Sequence, residues 1–319
     1  MSNSKKHVLI TGAAGFIGFH TALALKARGD EVVGYDNFNP YYSVPLKRKR
    51  AALLKEKGIE VVEGCLTDSP KLHSIFENHS FTHVIHLAAQ AGVRYSFTHP
   101  QAYVESNLIG FVSLMEILKN KPLIKIIYAS SSSVYGNNEK TPFSVSDRTD
   151  TPVNLYAATK KANELMAYSY HHLYEMSLTG LRYFTVYGPW GRPDMACYLF
   201  TQSILEKKPI TLFNNGDMKR DFTYIDDVVA GTVAALDKES PYAIYNIGNK
   251  QPVSLLDMVA LLEEIIGIKA EKLFTEKTSG EVPVTFADIQ ESSKELGYTP
   301  KTSLAVGLRS FVNWYKSQI

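Results

Sequence analysis

Three glycines spaced three residues apart are the feature that most limits what this chain can fold into. Gly12, Gly15 and Gly18 directly follow the apolar run Val8 to Ile10 and open a helical pattern that ends at Gly29. A glycine-rich turn between a strand and a helix lets backbone N–H groups face a diphosphate, because no side chain blocks the approach. The spacing is G-x-x-G-x-x-G, where the usual dinucleotide fingerprint is G-x-G-x-x-G. The segment therefore predicts a dinucleotide-binding turn.

An acidic residue follows where such a site needs one. Asp36 ends a second apolar run, Glu31 to Tyr35, and lies about 20 residues beyond the glycines, where an acid accepts hydrogen bonds from the adenine ribose. A carboxylate there favours NAD and repels the extra phosphate of NADP. The predicted cofactor is therefore NAD.

The order of the apolar runs predicts the fold class. The first half alternates short β-branched runs with helical patterns, which is typical of an α/β protein with a doubly wound parallel sheet of the Rossmann type. Beyond Gly188 this regularity lapses, and short strands at 210–213, 222–225 and 243–247 are assigned to a smaller C-terminal α/β domain. We expect an NAD-binding domain over 1–188 and a mainly substrate-binding domain over 189–319, with some chain crossing back.

Composition excludes several classes of function. The chain of 319 residues carries 34 Lys and Arg against 32 Asp and Glu, a net charge of +2 that gives no case for nucleic-acid or membrane partners. The basic run Lys47 to Arg50 is interpreted as a solvated helix face. Cys65 and Cys197 lie far apart without metal spacing, so neither a disulfide nor a metal site is predicted. With no apolar run of about 20 residues, we expect a cytoplasmic protein.

Two further motifs carry chemistry. Ser130 to Ser133 directly follow the fifth predicted strand, and Tyr156 and Lys160 stand four residues apart, hence on one face of a helix over 155–174. A free tyrosine titrates near ~10. A neighbouring ammonium and a positively charged nicotinamide both favour its phenolate, so Tyr156 is predicted to act as a base near neutral pH.

With these motifs the chain resembles the extended short-chain dehydrogenase/reductase family over nearly its whole length. The resemblance implies tightly held NAD, a nucleotide-sugar substrate, Tyr156 as the base, Ser131 hydrogen-bonding the reacting hydroxyl, and Lys160 holding the nicotinamide ribose. Helices over 103–119 and 155–174 would pair as a four-helix bundle in a homodimer. The resemblance implies that the cofactor is bound by Gly12, Gly15, Phe16, Ile17, Gly18, Asp36, Asn37, Leu66, Leu87, Ala88, Ala89, Asn107, Lys160, Tyr183 and Val186.

One position departs from the family pattern. Many relatives carry an acid after the third strand that meets the adenine amino group, whereas Cys65 stands at the aligned place here and Asp68 follows. The usual adenine contact is therefore not predicted, although the diphosphate site is unaffected.

The residues after the fifth strand narrow the reaction. Dehydratases and decarboxylases of this family carry acids directly before the Val-Tyr-Gly of this segment, and this chain has Ser132 and Ser133 instead. Without such an acid, hydride return to the opposite face of a 4-keto sugar predicts a 4-epimerase. Less favoured alternatives are a dehydratase or decarboxylase and a catalytically silent NAD-binding regulator.

Two stretches around Arg94 and Arg192 resemble the UDP-glucuronate 4-epimerases of the family. A uronic acid needs a cation in its pocket, and a guanidinium can engage a carboxylate bidentately. Arg192 is the first candidate, helped by Ser132, Ser133 and Thr185, and Arg94 is the second. By the same resemblance Arg220 contacts the diphosphate of the substrate. If the arginines form only structural ion pairs, the substrate would be a neutral UDP-hexose.

Overall fold

The computed structural model describes residues 5–276 and 282–318. The strands are β1 His7–Thr11, β2 Glu31–Asp36, β3 Glu60–Glu63, β4 His83–His86, β5 Lys125–Ser131, β6 Leu178–Tyr183, β7 Thr185–Tyr187, β8 Ile210–Leu212, β9 Lys219–Tyr224, β10 Tyr242–Ile247, β11 Pro252–Ser254, β12 Lys272–Phe274 and β13 Val284–Thr285. The α-helices are α1 Phe16–Arg28, α2 Val44–Glu56, α3 Ser69–Asn78, α4 Tyr95–Thr98, α5 Pro100–Tyr103, α6 Gly110–Leu118, α7 Leu155–Tyr174, α8 Ala196–Leu205, α9 Ile225–Asp237, α10 Leu255–Ile266, α11 Gln290–Leu296 and α12 Leu304–Lys316.

The main sheet confirms the predicted doubly wound fold. Within the described residues it has seven strands in the order β10-β6-β5-β4-β1-β2-β3, and every neighbouring pair is parallel. Because the chain leaves β1 toward β2 on one side and returns to β4 on the other, the carboxyl end of β1 lies at the topological switch point. Ligands of open α/β sheets bind at that point.

Apolar residues of period two hold the sheet between its helices. In β1, Val8 and Ile10 belong to one apolar core and Leu9 belongs to the core on the opposite face. None of the three side chains has any exposed surface. Burial on both faces explains why this strand is a continuous apolar run and not an alternating one.

One predicted assignment is wrong. The strand at 243–247 was assigned to the smaller domain, but β10 pairs in parallel with β6 and extends the main sheet. Helix α9, which precedes it, adds Val228 and Val229 to the same apolar core as Phe19 of α1. A short edge strand that follows an irregular segment gives no local sign of the sheet it joins. The division into domains at residue 188 stays a prediction.

A second, smaller sheet lies after β6. Strand β9 pairs with β7, β11 and β13, and β8 pairs separately with β12. Its own apolar core contains Phe222 of β9, Met258 of α10 and Leu308 of α12. Because β7 begins two residues after β6 ends, this second unit is anchored beside the carboxyl edge of the main sheet.

The basic run on α2 is not a solvated face throughout. Arg48 and Lys49 are exposed as expected, but Lys47 is 7% exposed and Arg50 has no exposed surface. The two buried cations stand three residues apart and therefore share the inner face of the helix. The prediction of a solvated face is wrong for both, because their charged ends bind backbone carbonyls of other segments.

The helix predicted over 103–119 is interrupted. Its first residue, Tyr103, ends α5, the segment Val104–Ile109 is a π-helix that contains the buried Asn107, and α6 forms the remainder. Short π segments within helices are frequent at functional sites. No helix in residues 5–276 or 282–318 is both long and apolar enough to cross a bilayer.

A buried ion pair between β6 and α7 leads to a prediction about stability. Arg182 donates to both oxygens of Glu164, at 2.8 and 2.9 Å, and their side chains are 3% and 2% exposed. We expect Arg182→Met to lower the free energy of unfolding by about 3–5 kcal/mol, because the buried carboxylate loses its two-bond partner and keeps Ser130 and the more distant Lys161, 3.7 Å away. Arg148→Met, which removes an exposed pair with Asp150, should cost less than about 1 kcal/mol. Urea unfolding measures both, and equal losses would contradict the argument.

Candidate active site

The predicted cofactor turn is the segment 12–15 between β1 and α1. Two glycines, one in this turn and one in α1, allow the helix to pack closely against it. Gly12 has a φ of +75°, and a Cβ there would lie 2.7 Å from the amide nitrogen of Ala88. A Cβ on Gly18 would lie 2.2 Å from the carbonyl oxygen of Gly12. Neither position accepts a side chain, so the turn brings the start of α1 directly against the strand ends.

The start of α1 is suited to bind an anion. Gly15 is its N-cap residue and supplies no side-chain hydrogen bond, so the cap leaves first-turn amides unsatisfied. Such amides, together with the helix dipole, bind phosphate groups. Gly15 and Phe16 both line the large cavity described below, which gives a diphosphate access to them.

Asp36 has a role that the sequence did not reveal. Its Oδ2 accepts a hydrogen bond of 3.0 Å from the amide of Ala14, and its Oδ1 accepts one of 2.8 Å from the amide of Phe38. The carboxylate thus fixes the cofactor turn through the Ala14 amide. Burial raises the pKa of Asp36. Asp36 also lines the cavity. Its hydrogen bond to a ribose remains a prediction.

The segment after β3 contains Cys65, the residue that departs from the family pattern. Cys65 lies on the cavity wall with Leu66 and Thr67, and its Sγ is 3.1 Å from Thr67 Oγ1 and 3.8 Å from Asn37 Nδ2. Asp68 instead caps helix α3 by accepting from the amide of Lys71. It therefore does not take the place of the missing acid.

Strand β5 and helix α7 bring the predicted catalytic residues together. Ser131 ends β5, and its hydroxyl is hydrogen-bonded to the phenol of Tyr156 and lies 3.2 Å from the hydroxyl of Ser133. Lys160, one turn further along α7, donates a hydrogen bond of 2.9 Å to the carbonyl of Ala129 on β5. Asn154 caps the helix at its start by accepting from the amide of Ala157.

The electrostatics differ in part from the sequence argument. Burial raises the pKa of Tyr156, while the hydrogen bond from Ser131 and the charge of Arg192 oppose that rise. Burial lowers the pKa of Lys160 to about 8. Without a cofactor, the positive charge that favours the Tyr156 phenolate is therefore that of Arg192. The ammonium of Lys160 is instead hydrogen-bonded to β5.

Asn107 lies behind the cavity and not on its wall. Its side chain donates 3.0 Å hydrogen bonds to the Oγ1 of Thr159 and to the carbonyl of Gln90, and it accepts from the Gln90 amide. Asn163 of α7 donates to the backbone carbonyl of Asn107, within the π segment. These contacts fix the catalytic face of α7 against the end of β4. The prediction that Asn107 binds cofactor stays untested.

One cavity of about 1000 Å³ joins all of these parts. It runs from the cofactor turn, past Ser131 and Tyr156, to the second sheet. Apart from Asn107, every predicted site residue lines it, including Leu87, Ala88, Ala89, Ile17, Tyr183, Val186, Ser132, Thr185 and Arg220. The described residues contain no cluster of acids, histidines and cysteines that could hold a metal ion.

Other lining residues were missed. The far end of the cavity is walled by apolar side chains from separate segments, namely Met195, Leu199, Phe213, Met218 and Phe222, and Tyr41 and Lys47 line the cofactor side. They share no spacing that a sequence motif could show. Met195, Phe213, Phe222 and Lys47 lie in stretches named in the sequence analysis, but no cavity role was predicted for them. Met195 ends the loop at residues 188–195 between β7 and α8, hereafter the sugar loop.

The three predicted arginines have different surroundings. Arg192 forms a bidentate ion pair with Asp194, with its Nε 3.0 Å from Oδ1, and Tyr41 donates to the same carboxylate at 2.9 Å. Arg94 stacks on the ring of Phe213 at 3.7 Å. Arg220 donates to the carbonyls of Lys219 and Pro283.

Comparison with known proteins agrees with this architecture. Residues 8–248 match the model of the NAD dependent epimerase/dehydratase family. UDP-glucuronate 4-epimerase 1 of Arabidopsis thaliana is 53% identical, over 97% of this chain and 76% of the plant protein. The Bacillus cereus UDP-glucuronic acid 4-epimerase, solved with UDP-glucuronic acid and NAD, superposes with a TM-score of 0.90 at 38% identity, over 98% and 100% of the two chains. The UDP-glucose 4-epimerase of Thermotoga maritima gives 0.88 at 29% identity, over 98% and 99%.

The lowered pKa of Lys160 predicts a pH-dependent stability. An unfolded lysine titrates near ~10.4, so between about pH 8 and that value the unfolded chain binds the additional proton and stability rises with pH. We expect the ligand-free protein to gain roughly 2–3 kcal/mol relative to Lys160→Met between about pH 7 and 10. Urea unfolding measures the gain, with the exposed Lys49→Met as control. Parallel profiles for the protein and Lys160→Met would contradict a desolvated ammonium.

Proposed function

Since the chain belongs to the NAD dependent epimerase/dehydratase family, we propose that it interconverts UDP-glucuronate and UDP-galacturonate by inverting C4 of the sugar. One observation carries the uronate assignment. The guanidinium of Arg192 shares a cavity with Ser131 and Tyr156, and its charge acts on the Tyr156 phenol. A sugar whose C4 hydroxyl meets the phenol would therefore have a cation near its own C5 substituent.

The residues present fit NAD. The uncapped start of α1, the close approach at Gly12 and the acid Asp36 at the end of β2 suit a diphosphate and an adenine ribose in turn. Lys160 would hold the nicotinamide ribose. Bound NAD would supply the acceptor for a hydride from C4 and the donor that gives it back to the opposite face of the sugar.

The chain itself moves the proton. Tyr156 would take the proton from the C4 hydroxyl as the hydride leaves and give it back afterwards, with Ser131 hydrogen-bonded to the same oxygen. Because burial raises the pKa of this phenol, the deprotonated form needs nearby positive charge, which Arg192 supplies in part.

The strand end carries no acid for a further step. Ser132 and Ser133 line the cavity next to Ser131, and neither offers a carboxyl group to drive elimination or other ketone chemistry. Return of the hydride is then the simplest fate of the 4-keto sugar, and a rotated sugar gives the C4 epimer. This argument disfavours a dehydratase.

The intermediate brings a hazard that the site must control. Oxidation at C4 of a uronate gives a β-keto acid. Its C5–C6 bond can break with loss of carbon dioxide, as the electron pair passes to the keto oxygen and a proton from water then adds to C5. This requires the breaking bond to align with the ketone π system. We propose that Arg192, Ser132, Ser133 and Thr185 hold the carboxylate out of that alignment.

Asp194 already forms an ion pair with the Arg192 guanidinium, which the sugar carboxylate would also need. Its ion pair with Arg192 is partly buried, with side chains 27% and 21% exposed, and Arg192 lowers the pKa of Asp194. A uronate must share or displace this carboxylate, whereas a neutral hexose leaves it in place. The pair is the observation that favours the second candidate function, a UDP-hexose 4-epimerase.

Turnover tests the assignment. The purified protein is incubated with UDP-glucuronate and no added NAD, and products are resolved by chromatography and NMR. UDP-galacturonate supports the epimerase and retained cofactor. A UDP-pentose would mean that decarboxylation is the reaction, and turnover of UDP-glucose alone would assign the second candidate.

Replacement of Arg192 tests the carboxylate clamp. We expect Arg192→Ala to raise the KM for UDP-glucuronate at least about 10-fold, as for a lost charged hydrogen bond, and to release a UDP-pentose. Arg148→Ala, at an exposed site, serves as control. Unchanged KM together with no pentose would remove Arg192 from the clamp.

We further propose a cytoplasmic homodimer. Both cysteines are free. Helix α7 and the neighbouring π segment expose large apolar side chains, with Leu165 58%, Tyr168 56% and Ile109 50% accessible. Exposed apolar side chains on two elements that pack on each other through Asn163 suit the same surface of a second copy.

A charge on this face should weaken assembly. We expect Leu165→Glu to shift the mass measured by light scattering from dimer to monomer at micromolar concentration, because two carboxylates would be buried without partners. Leu123→Glu is the matched control, since Leu123 is 93% exposed in a loop. A dimer that survives Leu165→Glu would place the interface elsewhere.

A further inference from the structure

Arg50 is a buried cation that the proposed chemistry does not use. It lies on α2 with no exposed surface, and its Nε finds no hydrogen-bond partner among the described residues. A guanidinium removed from water is costly unless its donors are satisfied. The hydrogen-bond partners of its two terminal nitrogens therefore indicate the role of Arg50.

The two terminal nitrogens of Arg50 bind two different loops. Nη1 donates to the carbonyl of Ala14 in the cofactor turn at 2.9 Å and to the phenol of Tyr42 at 2.8 Å. Nη2 donates to the carbonyls of Trp190 and Gly191 in the sugar loop, at 2.5 and 3.3 Å. The planar fork of one side chain thus spans the cofactor turn and the sugar loop.

The sugar loop needs such an attachment. Trp190 has a φ of +61°, a left-handed conformation that is strained for a bulky residue. Its carbonyl takes the shorter of the two loop hydrogen bonds from Arg50. His20 of α1 donates to the neighbouring carbonyl of Pro189 at 2.9 Å. Burial lowers the pKa of His20 to about 4, so that this second contact does not titrate near neutral pH.

The ion pair proposed to contact the sugar begins immediately after the attached carbonyls. Arg192 directly follows Gly191 in the sugar loop, Asp194 lies two residues further on, and both line the cavity. A displacement of the loop by about 1 Å would move the guanidinium off the carboxylate, and errors of that size cost roughly 100-fold in rate.

We propose that Arg50 is a positioning residue that fastens the sugar loop to the cofactor turn, so that Arg192 is held at a fixed place relative to the reacting carbon. The proposal rests on the proposed function for its substrate, but its geometry stands on the hydrogen bonds alone. Arg50 touches neither the reacting atoms nor the sugar and acts through Arg192.

Three variants test the proposal. Arg50→Met removes the fork, Arg50→Lys keeps a charge that cannot span both loops equally, and the exposed Lys49→Met is the control on the same helix. Hydrogen exchange over residues 188–195 reports the attachment without any substrate. Initial rates with UDP-glucuronate, the fraction of UDP-pentose released and thermal unfolding report its consequence.

We expect amides of the sugar loop to exchange at least about 10-fold faster in Arg50→Met, as a lost hydrogen-bonded attachment implies. The KM for UDP-glucuronate should rise more than kcat falls, and a UDP-pentose should appear. Arg50→Lys should lie between Arg50→Met and the parent protein, and Lys49→Met should match the parent protein.

Loss of thermal stability with parental loop exchange, KM and product ratio would overturn the proposal, because Arg50 would then be only a buried structural cation. If Arg50→Met does not fold, the same readouts on Arg50→Lys decide the matter. Failure of the parent protein to epimerise UDP-glucuronate would refute the proposed function, while the exchange data would still test the attachment.

Discussion

The architecture of the site depends on the close contact between Gly18 and the carbonyl of Gly12. No heavy atom fits between them, since a Cβ on Gly18 would lie 2.2 Å from that oxygen. The contact sets α1 against the carboxyl ends of β1 and β4, which leaves the uncapped helix start facing the cavity. Asp36 then holds the turn from the next strand through the Ala14 amide, and Arg50 uses the Ala14 carbonyl as its anchor. The site for the sugar is therefore built outward from the site for the cofactor.

The parallel sheet explains how distant residues meet. Because neighbouring parallel strands end at one edge, Ser131 at the end of β5 and the cofactor turn after β1 face the same cavity although more than a hundred residues separate them. Helix α7 lies against that edge through Lys160 and the carbonyl of Ala129. The second sheet, anchored by β7, adds the outer wall that a nucleotide sugar needs.

The sequence predicted those site residues that can be recognised from their spacing within one segment. The glycine turn, the acid at Asp36, the serine strand end and the Tyr156–Lys160 pair each follow from a strand end or one helical turn. The parts that depend on contacts between segments were not predictable. The apolar wall at Phe213, the placement of β10 in the main sheet and the burial of Arg50 show no sign in their neighbouring residues. Arg50 in particular sits in a basic run of the kind that usually covers a solvated helix.

The central claim is that C4 of a uronate loses and regains the same hydrogen in this cavity, with Tyr156 handling only the hydroxyl proton. The most direct test is to run the reaction on UDP-glucuronate in D₂O and examine the UDP-galacturonate by NMR. The account predicts hydrogen, and no solvent deuterium, at both C4 and C5. Deuterium at C4 would show that the hydrogen exchanges with solvent, and deuterium at C5 would show proton abstraction beside the carboxylate. Either result would contradict the mechanism.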